Sequence, residues 1–142
     1  MRVVAIPKIV AEKMIVGNNV AVISILDSDA ERLFEDDHKT LTLWFDDIHP
    51  TTVYTIGSCY HHSPISYVQA KLLIEFVMKL DFNKINKIMV HCTAGICRSG
   101  AVVDFLRVVL DVNDIQFCRD NPNIIPNAWV RDLLWSVWGE QK

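Results

Sequence analysis

No stretch of the chain approaches the roughly 18 consecutive apolar residues that a membrane-spanning helix requires, so neither a membrane protein nor a membrane partner is expected. The first residues, MRVVAIPKIVAEKM, carry Pro7 and several charges. They lack the uninterrupted apolar region of a secretory leader, and a cytoplasmic location is expected. Basic residues are in deficit, with 14 Lys and Arg against 17 Asp and Glu. Nucleic-acid binders usually display a basic excess or stripe, so no nucleic-acid partner is expected. The four cysteines, at 59, 92, 97 and 118, lack the double-pair spacing of a zinc site. In a reducing compartment they are thiols rather than a disulfide framework. Repeats, low-complexity tracts and linkers are also missing, which leaves residues 1–142 as one domain long enough to bury its own core.

What the chain does have is apolar bulk: 51% of its residues, enough to favour a sheet covered on both faces over a half-solvated one. Strands are expected over Arg2–Ile6, Val20–Leu26, Thr40–Phe45 and Ile88–Val90. A helix is expected over Lys8–Val16, stopped by Gly17-Asn18-Asn19, and others from Ser63-Pro64 to Leu80, Arg98 to Leu110, Asp114 to Asn121 and Asn127 to Trp138. In the second helix Lys71, Glu75 and Lys79 recur every four positions among apolar residues, which predicts burial of most of its surface. The charged segment Asp29–Lys39 reads as a solvated helix or loop, and Thr51–Ser63 as a long loop with room for a short strand at Thr52–Ile56. Trp129, Trp135 and Trp138 read as packing residues. Strands alternating with helices give an α/β fold: a mostly parallel central sheet of four to five strands with helices on both faces.

The chemistry concentrates in Lys87 to Asp104, KIMVHCTAGICRSGAVVD. An apolar strand is halted near Gly95 and a helix follows, so Cys92 and Arg98 stand at the two ends of a tight loop. A loop feeding a helix N-terminus gathers backbone N–H groups where the positive end of the helix dipole lies, which suits an anion such as phosphate. Arg98 adds a planar fork able to pair two oxygens. The same field favours a thiolate at Cys92, a nucleophile for phosphoryl transfer through a phosphocysteine that water later hydrolyses. Ser99 completes the set, its hydroxyl donating to the sulfur when the thiolate is expelled. Cysteine is also commonly a small buried hydrophobe at a strand end. It is the combination of strand, His-Cys, central glycine, Arg-Ser and helix that singles this stretch out.

His91-Cys92-Thr93-Ala94-Gly95-Ile96-Cys97-Arg98-Ser99 resembles the H-C-x5-R-[S/T] signature loop of the protein tyrosine and dual-specificity phosphatase superfamily, in its compact dual-specificity-like branch. The likeness runs from about Val20 to about Leu134 and includes Pro126-Asn127. It implies a cysteine-based phosphatase fold and hydrolysis of phosphotyrosine, with phosphoserine and phosphothreonine as further substrates. It implies Cys92, Arg98 and Ser99 as catalytic residues, with Thr93, Ala94, Gly95, Ile96, Cys97 and Arg98 binding phosphate. A phosphorylated protein or peptide would be the partner, phosphate or another oxyanion the loop ligand, and no cofactor or metal is called for.

Expelling an alcohol or phenol also needs a proton donor. In the family this is an Asp after an upstream strand, often written Trp-Pro-Asp; here the chain reads Trp44-Phe45-Asp46-Asp47. Counting from the tryptophan favours Asp46. Counting from the strand end, and from the Phe-Asp-Asp arrangement of some compact members, favours Asp47, which is taken as the acid. The two carboxylates could instead only cap a turn ahead of Pro50. His61 and His62 could touch a phosphate or, with Cys59, a metal, but that ligand set is incomplete.

Cys97 resembles the second cysteine of the low-molecular-weight phosphatases, although chain order separates the two families. The likeness implies a disulfide between oxidised Cys92 and Cys97, against the plainer reading of Cys97 as a small loop residue. Rival readings are a phosphoinositide phosphatase, an RNA 5′-phosphatase, a sulfur- or arsenate-transfer enzyme, and a phosphate-binding module without turnover. The loop interior carries no Lys or extra Arg for a multiply charged head group.

Overall fold

The computed structural model describes residues 1–48 and 63–141. Pro50, Cys59, His61, His62 and the expected short strand at Thr52–Ile56 lie outside the described residues. The runs VAVISIL and KIMVHC, each buried beyond its first residue, form the two central strands, because a parallel strand covered on both faces has no need of polar alternation. Among the described residues four strands build the sheet: β1 (Arg2–Pro7), β2 (Val20–Leu26), β3 (Thr40–Trp44) and β4 (Lys87–Cys92). Their order is β1-β4-β2-β3 and every pairing is parallel. The fold is therefore α/β, with helices α1 (Lys8–Ala11), α2 (Tyr67–Met78), α3 (Arg98–Val109), α4 (Asp114–Asp120) and α5 (Ala128–Glu140).

Successive residues of a strand point to opposite faces. Ala21, Ile23, Ile25, Ile88, Val90 and Cys92 face a core shared with α2, α3 and α5. Ser24, Thr42 and His91 share the other face, where Phe34 sets its ring edge-on to His91 at 6.0 Å and Ala30 O accepts from Trp44 Nε1. The charged segment 27–39 thus lies over that face as an irregular loop. In α3, Arg98 to Val103, Phe105 and Leu106 are all buried, so this helix runs through the core as expected. Trp135 and Trp138 of α5 meet Phe105 edge-on at 5.0 and 6.1 Å, so both serve packing.

Three expected boundaries are corrected. The first helix stops at Ala11 instead of Val16. It has no side-chain cap, buries only Ala11 and leaves Ile15 98% exposed, so nothing offsets the cost of nucleating a longer helix. The helix expected from Ser63-Pro64 begins at Tyr67 and ends at Met78 rather than Leu80. Its start is set by a capping box in which Ser66 Oγ accepts from Gln69 N at 3.1 Å and Gln69 Oε1 accepts from Ser66 N at 2.9 Å. Nor is most of that helix buried: Ala70, Leu73, Ile74 and Val77 form one inward stripe, while Val68, Leu72 and Met78 stay exposed. Finally, Asn127 is the N-cap of α5 rather than its first helical residue. Among the described residues no helix is long and apolar enough to cross a membrane.

Candidate active site

In a parallel sheet all strands end on the same edge, and ligands bind beyond those carboxyl ends. Asp27 follows β2, Asp46 and Asp47 follow β3, and Cys92 closes β4. The loop after Cys92 is tied down on its outer side. Thr93 O accepts from Lys8 N at 3.2 Å, Ile96 O from Ile125 N at 3.0 Å, and Cys97 O from Asn127 N at 3.0 Å. Gly95 has φ +72° and presses on the end of β1, where an added Cβ would lie 2.4 Å from Pro7 N. Only glycine satisfies both conditions.

The sulfur of Cys92 lies on the floor of this loop. Gly95 N donates to it at 3.2 Å, and Ser99 Oγ is 3.1 Å away. Burial by itself would push the thiol up, but the Ser99 hydroxyl and backbone, the Gly95 N–H and the Arg98 charge outweigh it, and its pKa lies below the ordinary thiol value. Cys97, half-buried at the foot of α3, shifts the other way: burial and then the neighbouring Asp47 charge raise its pKa and keep it a thiol. The two sulfurs of one loop are thereby differentiated.

Arg98 is 4% exposed, and both of its terminal nitrogens are held by neighbouring groups. Nη1 donates to Phe45 O at 2.9 Å and forms an ion pair with Asp27 Oδ1 at 2.8 Å, while Nη2 donates to Thr93 Oγ1 at 3.0 Å. Nε is buried with no partner among the described residues. Nε–H shares an edge of the guanidinium with Nη2, and this is the edge that grips two oxygens of a carboxylate or phosphate. The protein locks the opposite edge and leaves a costly orphan donor on the gripping one, an arrangement that fits an anionic ligand. Asp27 was not singled out in the sequence. Its position immediately after a buried strand, on the edge shared with Cys92, was the available signal.

The two upstream carboxylates do different work. Asp46 is 7% exposed and accepts from Ser28 N at 3.1 Å, Ser28 Oγ at 2.5 Å and Ser63 N at 2.7 Å, so it pins together the segments that follow β2 and precede α2. Asp47 is exposed, lies beside Cys97 and accepts from Asn127 Nδ2 at 2.8 Å. Of the pair, Asp47 has the carboxylate beside the loop and in reach of solvent. His91 faces away from the loop, with Nε2 2.5 Å from Ser24 Oγ, and burial lowers its pKa to about 4, so it is neutral at pH 7.

A cavity of about 460 Å³ is remote from this chemistry, lined by Met1, Phe82, Ile85 and Val109 near the amino ends of β1 and β4, while the one against Gly95 and Ile96 has only about 260 Å³. Size therefore does not mark the site. Among the described residues no group of three or more His, Cys, Asp and Glu side chains is arranged to hold a metal ion. Neither a scan against protein-family models nor a search of curated proteins finds a match to this chain.

Proposed function

We propose that this chain is a cysteine-dependent phosphomonoesterase, a compact member of the protein tyrosine and dual-specificity phosphatase superfamily, acting on phosphotyrosine in proteins or peptides. The observation that carries this reading is the pairing, in one loop, of a sulfur bonded by Gly95 N and Ser99 Oγ with a buried arginine whose Nε has no partner among the described residues. Cys92 Sγ attacks phosphorus in line with the ester oxygen while the Nε–Nη2 edge of Arg98 and the loop amides hold the non-bridging oxygens. The P–O bond breaks as Asp47 gives its proton to the departing phenoxide or alkoxide. Water then attacks the phosphocysteine, Asp47 takes the water proton, the P–S bond breaks, and Ser99 Oγ–H stabilises the returning thiolate.

Asp27 on Arg98, with no lysine in the loop, gives the cradle little surplus positive charge. That favours a singly phosphorylated side chain over an inositol polyphosphate or a triphosphate-ended RNA, and phosphoserine and phosphothreonine peptides are the further substrates to assay. A reducing, cytoplasmic setting accords with a mechanism that needs a free thiolate. The test is Cys92→Ser: hydrolysis of p-nitrophenyl phosphate should fall to background while inorganic phosphate still binds, measured by calorimetry. Undiminished turnover would reject the covalent mechanism.

A further inference from the structure

We propose that Asn127 is a positioning residue that holds Asp47 over the loop and thereby sets how well the enzyme expels poor leaving groups; this rests on the phosphatase reading above. Asn127 joins three parts of the molecule. Its backbone N–H donates to Cys97 O at 3.0 Å, its Oδ1 accepts from Val130 N at 3.1 Å as the cap of α5, and its Nδ2 donates to Asp47 Oδ1 at 2.8 Å. The cap fixes which end of the amide is which. An oxygen must meet the helix N–H, so the NH₂ is left for the carboxylate.

The consequence is geometric. Asp46, one residue earlier, is anchored to Ser28 and Ser63, but Asp47 is exposed and its carboxylate has rotamer freedom to lose. Asn127 supplies a fixed donor whose own backbone is bonded to the loop at Cys97. The position of Asp47 is therefore referenced to the loop at Cys97 rather than to the end of β3. Bonding Oδ1 to an NH₂ leaves Oδ2 as the oxygen to carry the proton. A near-attack placement of this kind is worth a large factor only for substrates whose leaving oxygen needs that proton.

Leaving-group dependence separates this role from a structural one. Asn127→Ser keeps a good N-cap oxygen and the backbone bond to Cys97 but is too short to reach Asp47. Compared with the unmodified enzyme, kcat/KM, which reports the steps up to loss of the phenol and not the later hydrolysis that also uses Asp47, should fall about tenfold or more for phenyl phosphate, whose phenol is as weak an acid as tyrosine. For p-nitrophenyl phosphate, whose acidic phenol leaves unaided, the fall should be less than about threefold. Asp47→Asn should show the same pattern more strongly, and adding Asn127→Ser to it should cost nothing further. Equal losses on both substrates, no loss on either, or an additive loss in the Asp47→Asn background would overturn the proposal. An Asp47→Asn variant with equal losses on both substrates would also overturn it, by removing the acid that Asn127 is said to hold. Absence of any turnover by the unmodified chain would instead strike at the phosphatase reading itself.

Discussion

A thiol at a buried strand end ordinarily stays protonated, because burial disfavours the charged form. Here the Ser99 hydroxyl and backbone, the Gly95 N–H and the Arg98 charge reverse that preference at Cys92. Alkylation by iodoacetate, which reports thiolate, should therefore show a pH midpoint below the ordinary value of ~8.5. Ser99→Ala should move that midpoint upward, since the lost hydroxyl stabilises only the charged form. An unmoved midpoint would remove Ser99 from the chemistry. Asp46 and Asp47 show where residue-scale reading of the sequence ends. Both are acidic and adjacent, and only the serines around Asp46 separate a buried tie from an exposed acid. The partnership of Asp27 with Arg98 spans 71 positions of sequence and left no local trace.

Between strand and helix, the loop depends on one backbone conformation. Gly95 combines a left-handed φ of +72° with contact against Pro7 and Ile6, so any Cβ there strains the backbone and collides with β1. Gly95→Ala should cost at least about 1–2 kcal/mol from the left-handed conformation alone. It should lower the melting temperature by several degrees, and phosphate binding should be lost, because Gly95 N can no longer meet Cys92 Sγ. Unchanged stability and binding, by calorimetry on both counts, would show that the loop tolerates another path. At the same scale, Pro64 and helical spacing set the expected helix starts, and the caps at Ser66 and Asn127 emerged only from the bonds they make. A cap is recognised by the bond it makes, and that bond needs coordinates.

Across the whole molecule, the sheet order places β4 between β1 and β2 and so buries His91 beneath the segment that carries Phe34. Burial holds its pKa near about 4 against an ordinary ~6.5. A histidine with a depressed folded pKa contributes stability that is complete above pH ~6.5 and is lost as pH falls toward 4, a total of about 3 kcal/mol. The urea midpoint of the parent should therefore drop across that window by more than that of His91→Asn, in which the titrating group is gone. Parallel curves for the two proteins would mean that His91 is not held neutral by the fold.

The order of residues alone determined that buried parallel strands would form, that the loop after β4 would end in Arg98 at a helix start, and that a carboxylate pair would follow β3. These depend on apolar runs and short spacings, which a local pattern carries. Tertiary structure decided which carboxylate faces the loop, that Asp27 and Phe45 O lock one edge of Arg98, that Asn127 bridges Asp47 to the loop, where α1 ends, and where α2 begins and ends. Each of these is a contact between segments distant in the chain. Such contacts exist only once the strands have closed into one sheet and brought their carboxyl ends to a common edge.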